Sequence, residues 1–119
     1  MITIRKEQKK ALSSYSRTTF IGRMRDYLLE TNTAGCEKIG LDHLEQTLDE
    51  IIEICSSYEI RMQRNIAEFA GFCVSHRVGF EENPEHSEAL RILMDSKMAE
   101  GTKLLQLRTY FSSNAEAGI

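Results

Sequence analysis

The chain has 119 residues with 41% hydrophobic and 28% charged content, enough for one domain that buries roughly two-thirds of its unfolded surface without metal or disulfide staples. A single Pro and seven Gly exclude both a turn-rich β-sandwich and a disordered chain, and a net charge of −3 argues against a general nucleic-acid binder. The charge is unevenly placed: residues 1–30 hold seven Lys/Arg and three Asp/Glu (+4), whereas residues 31–60 hold one and seven (−6). Internal attraction between these stretches is the simplest use of that polarity, and steering of a partner is the other.

In chain order, Thr3 is placed to cap a first helix running to about Glu30. Its apolar pattern changes side midway: Ile4, Ala11, Leu12 and Tyr15 share one face with Gln8, while Phe20, Met24, Tyr27 and Leu28 lie nearly opposite. Ser13 to Thr19, poor in strong helix formers, marks the change. Either the helix bends or breaks there and both halves serve one core, or it continues and Ile4 to Tyr15 offers a strip to a protein partner or a second copy. Thr31 to Gly40 reads as a loop with Gly35 and Gly40 as punctuation. From about Leu41 to Ser57 a second helix carries a narrow stripe of Leu41, Leu44, Leu48, Ile51, Ile52, Cys55 and Tyr58, with Glu45, Asp49, Glu50 and Glu53 on the other side.

The broadest apolar sector follows, over Arg61 to Gly79, where Met62, Ile66, Phe69, Ala70, Phe72, Cys73 and Val74 cover most of a helix. Gly79 is placed to end it. Pro84 starts a fourth helix to about Met94, burying Ala89, Leu90, Leu93 and Met94. A fifth, from about Thr102 to Phe111, turns Leu104, Leu107 and Phe111 inward, and residues 112–119 read as a flexible tail. The expected architecture is all-α: a compact bundle of about five helices around a central helix at about 61–79, in a single domain over 1–111.

Catalytic signals are weak. His43, His76 and His86 form no H-E-x-x-H and no i, i+4 pair, and His76 is placed to meet the helix dipole in its charged form. Cys36, Cys55 and Cys73 form no C-x-x-C, and two of them fall on apolar faces. No phosphate-cradling glycine loop is present. No catalytic, cofactor or metal site is therefore expected, and no nucleic-acid partner. No signal peptide or membrane-spanning run is read, so the cytoplasm is the expected location. Two features suit protein binding. The acidic side with Glu45, Asp49 and Glu53 is a solvated face that could also dock a basic partner. Phe80 is either a plug closing the core or, with Glu81, Glu82 and Asn83, part of a recognition loop.

The order Ile2-Thr3-Ile4-Arg5-x-x-Gln8, Phe20 and Arg23, Tyr58-x-Ile60, Gly79-Phe80-Glu81-x-Asn83-Pro84, Ile92-Leu93 and Leu104-x-x-Leu107 resembles a family of small helical proteins associated with bacterial type VI secretion. Members of that family are found with spike, PAAR-type tip and effector proteins. This chain departs from the family pattern where Glu81 or Asn83 stands for an Asp and His86-Ser87 for a Pro-Trp-like step. The resemblance implies a non-enzymatic adaptor or chaperone for an effector or spike component. An immunity protein that neutralises a toxin by direct binding is the alternative.

Overall fold

Helical spacing of apolar residues decides where the elements lie. The computed structural model describes the backbone of residues 2–117 and the side chains of residues 17–112. Among these the chain is all-α, with α1 (Ile2–Thr31), α2 (Thr33–Ile39), α3 (Leu44–Ser57), α4 (Gln63–Ser75), α5 (Ser87–Leu93) and α6 (Glu100–Ala117). Two 3-10 turns, Phe80–Glu82 and Pro84–His86, separate α4 from α5. The chain divides into two units, Met1–Asp49 and Glu50–Ile119, and each is described by itself.

In the first unit α1 is helical throughout, including the Ser13 to Thr19 stretch where a break was one expectation. Phe20, Met24 and Leu28, four residues apart, are buried. The expected loop at Thr31 to Gly40 is instead a short helix. Asn32 supplies the reason: its side chain accepts a hydrogen bond from the Gly35 amide (3.1 Å), closing the orphan donors of the first turn. Gly40, at φ +100°, ends the helix in a conformation that a side chain would strain. Leu41 precedes α3 and is exposed rather than in the stripe. Arg17 reaches Asp49 (2.7 Å) and Arg25 reaches Glu45 (2.9 Å), so the basic first helix neutralises part of the acidic face. These exposed pairs set register more than they stabilise.

In the second unit α4 is shorter than the expected 61–79 helix. It buries Ile66, Phe69, Ala70, Cys73 and Val74, while Met62 lies outside it and is half-exposed. Its N-cap residue, Met62, makes no side-chain capping bond. The start of α6 supplies one: Glu100 Oε1 accepts from the Arg61 amide (3.2 Å), the Met62 amide (2.9 Å) and Asn65 Nδ2 (2.8 Å). One turn further along, Lys103 is 2% exposed and donates from Nζ to the Tyr58 carbonyl just past α3 (2.7 Å). Leu104, Leu107 and Phe111 face inward as expected, but α6 begins earlier and continues through Ala117, beyond the expected end near 111. In α5 it is Ile92, not Met94, that is buried with Ala89 and Leu93.

Two positive φ values bracket α4. Glu59 sits at φ +63° and Gly79 at φ +83°. An L residue in the left-handed region costs about 1–2 kcal/mol, and Gly does not incur that cost. Substituting Glu59→Gly should therefore raise stability by about 0.5–1 kcal/mol after the entropy of the unfolded chain is set against it. A Gly79→Ala change, which meets no neighbouring atom within 4 Å, should lower it by about 1 kcal/mol through backbone strain alone. Urea midpoints of the two variants should move in opposite directions.

Candidate functional site

The segment between α4 and α5 has two inward residues followed by four outward ones. Gly79 reverses the chain and lets the first 3-10 turn form. Phe80 (2% exposed) and Glu81 (3% exposed) point in; Glu82, Asn83, Pro84 and Glu85 are exposed. Asn83 Oδ1 accepts from the Glu85 amide (3.0 Å), and Pro84 begins the second turn, so the outward residues sit on a stiffened backbone.

Phe111 is the point against which this segment is packed. Its ring stacks on His76 (centroids 4.1 Å apart, planes 13° apart) and meets Phe80 edge-on at 5.2 Å and His86 at 5.8 Å. Such pairs contribute about 0.5–1.5 kcal/mol each beyond area burial. His86 Nδ1 lies 2.8 Å from the Tyr110 hydroxyl, which itself donates to the Glu85 carbonyl (3.2 Å). Burial of part of the ring, and next to it the His86 ring, push the His76 pKa down although the residue is exposed at the end of α4, which disfavours the charged form there.

His76, Arg77, Glu82, Asn83 and His86 line a cleft of about 510 Å³ beside this loop. It is not built like a metal centre. The two imidazole centroids are 6.5 Å apart, wider than the about 5 Å expected for two rings on one tetrahedral metal. Among the described residues no group of three or more His, Cys, Asp or Glu side chains is placed to hold a metal ion.

Beneath the loop, Tyr58 donates to Glu81 Oε2 at 2.7 Å, and Glu81 Oε1 has no hydrogen-bond partner among the described residues. Burial, then the bond to Glu81, push the Tyr58 hydroxyl pKa up. Burial likewise pushes the Cys55 thiol up to about 12 and raises Cys73, with Glu81 adding to both. Thiols held protonated in this way are structural and not nucleophilic at neutral pH.

The residues singled out in the sequence separate accordingly. Phe80 is the core plug, and Glu81 is interior, not part of an exposed surface. Glu82 and Asn83 are exposed on the loop. Glu45 and Asp49 are exposed but engaged by Arg25 and Arg17, and Glu53 is exposed on the same helix. Ile4, Gln8, Ala11, Leu12 and Tyr15 lie outside the residues whose side chains are described. Lys103 and Glu100 are not among those residues, although they share the helical face of Leu104, Leu107 and Phe111. A Lys on an apolar stripe was the available signal.

Comparison with protein-family models, with characterised proteins and with solved structures gives no match for this chain. No helix among the described residues is long and apolar enough to cross a membrane.

The lowered His76 pKa fixes a pH dependence. Its contribution is fully present above the unfolded value of about 6.5 and is lost as pH falls through the lower folded value. The urea midpoint should therefore fall between pH 7 and pH 5, and His76→Phe, which keeps the stack on Phe111, should fall less steeply over that range.

Proposed function

We propose that this chain is a non-enzymatic protein-binding accessory factor, an adaptor or chaperone for a type VI secretion effector or spike component, acting in the cytoplasm. The observation that carries the reading is the divided loop after α4. Phe80 and Glu81 anchor it, and Glu82, Asn83, Pro84 and Glu85 face outward on two successive 3-10 turns. A recognition surface that is already ordered loses less entropy on docking. The resemblance of Gly79-Phe80-Glu81-x-Asn83-Pro84 and of the other segments to the secretion-associated family supplies the partner class.

A second reading is favoured by the charge of the same loop. Glu82 and Glu85 are exposed acids on a firm backbone, which suits a basic toxin surface and hence an immunity protein. The acidic side of α3 supports it less, because Glu45 and Asp49 already pair with Arg25 and Arg17.

Co-expression of the full chain with type VI secretion spike, tip and effector proteins of its source should yield a stoichiometric complex with one of them, read by light scattering after gel filtration. Glu82→Lys with Glu85→Lys should weaken that complex by about tenfold or more, equivalent to about 1.4 kcal/mol. Complex formation without rescue of growth from a neighbouring toxin supports the adaptor. Rescue supports the immunity reading, and no complex with any of these proteins contradicts both.

A further inference from the structure

Several acids of the second unit have partners within it: Glu68 meets Arg108, Glu88 meets Arg91 and Glu100 caps α4. Glu59 and Glu82 do not. Both are exposed, and among the described residues no ion pair engages either carboxylate. Although far apart in sequence, they line one cleft of about 540 Å³ beside the α3–α4 corner.

The rest of that cleft divides cleanly by chemistry. Leu90, Leu93 and Met94, at the end of α5, form an apolar wall. Met94 is 67% exposed, so a long unbranched apolar side chain stands in solvent at the edge of the opening. Lys103 also borders the cleft, but it is 2% exposed and its Nζ donates to the Tyr58 carbonyl at 2.7 Å. Its charge serves the end of α3 and offers the opening almost no surface. The accessible charge is therefore that of the two glutamates. Burial, then Glu81 and, less, Glu82 push the Tyr58 hydroxyl pKa up, as a negative field at this side of the cleft requires.

We infer that this cleft receives a segment of a partner protein in which an arginine adjoins apolar side chains, with the guanidinium at Glu59 and Glu82 and the apolar groups against Leu90, Leu93 and Met94. The inference rests on the reading of the chain as a protein-binding accessory factor and names the chemistry of what it binds. A guanidinium meets a carboxylate in charge-assisted hydrogen bonds, and its planar fork of five donors suits two carboxylates brought from different segments better than a lysine does. The apolar wall removes neighbouring side chains from water. Acidic segments are rejected by the same two glutamates. Glu82 borders the cleft beside the loop as well, so this site is continuous with the outward face already assigned to partner binding.

The capped tripeptide acetyl-Leu-Arg-Leu-amide is the probe, titrated into the full chain at low salt and followed by amide chemical shifts. Acetyl-Leu-Glu-Leu-amide and acetyl-Ser-Arg-Ser-amide are the controls. The probe should saturate with one-to-one stoichiometry and shift the amides around Glu59, Glu82 and Met94, while Ser-Arg-Ser should bind about tenfold more weakly and Leu-Glu-Leu should not saturate. Glu59→Gly, which relieves a left-handed backbone, and Met94→Ser, at an exposed position, should each weaken the probe by about fivefold or more with no fall in the thermal midpoint. Non-saturating shifts, shifts located elsewhere, equal binding of either control, or wild-type affinity in both variants would each overturn the assignment. The titration needs no secretion protein, so the two readings fail separately. Saturation here without any co-expression complex supports the cleft and contradicts the adaptor, and a complex that keeps its affinity in the Glu59→Gly, Met94→Ser double variant contradicts the cleft alone.

Discussion

Two side chains of opposite charge, one helical turn apart at the start of α6, hold the corner between the end of α3 and the start of α4. Glu100 accepts two backbone amides and the Asn65 amide group at the beginning of α4, and Lys103 donates to the Tyr58 carbonyl at the end of α3. Each charge sits at the helix end whose dipole it opposes. The corner needs this help because its own sequence provides little. Met62 cannot cap α4 with its side chain, and Glu59 occupies a backbone region that an L residue enters at a cost. The burial of Lys103 is explained by the same arrangement, as is the low exposure of Asn65.

From that corner, α6 extends to the aromatic group under the loop. Phe111 and Tyr110 meet His76, Phe80 and His86, so one helix fixes both the α3–α4 corner and the segment that carries Glu82 and Asn83 outward. This makes α6 as much an organising element of the second unit as α4. It also ties structure to the proposed activity. A loop whose inward residues are packed on a capped helix keeps its outward residues in one arrangement, which is what recognition by a small accessory protein requires.

Much of this was legible in the residues. The period of Leu44, Leu48, Ile51 and Cys55 is a helix signal strong enough to stand alone, as is that of Leu104, Leu107 and Phe111. Gly79 marked a reversal, although it opens a 3-10 turn and does not cap α4 directly. The opposed charges of residues 1–30 and 31–60 find each other in Arg17–Asp49 and Arg25–Glu45. What was missed has a common cause. Helical periodicity assigns faces but cannot tell where a helix receives its caps, so Met62 falls on the apolar sector although the Glu100 cap begins α4 after it. Asn32, with two glycines after it, reads as loop, whereas its side-chain oxygen begins α2. Glu81 and Glu82 are adjacent acids in a 3-10 turn, and nothing in their order says which one turns inward to Tyr58.

The corner clamp can be tested by urea unfolding of Glu100→Ala beside the wild type, at pH 7 and at pH 3. Burial alone would raise the Glu100 pKa, but the hydrogen bonds from Asn65, Met62 and Arg61 outweigh it and hold the carboxyl below the usual glutamate range. Its stabilisation is therefore present above the unfolded value of about 4.3 and fades as pH falls through the lower folded value. The account predicts a variant less stable by about 2 kcal/mol at pH 7, with the difference shrinking at pH 3. A variant as stable as the wild type at pH 7, or a difference that persists unchanged at pH 3, would contradict it.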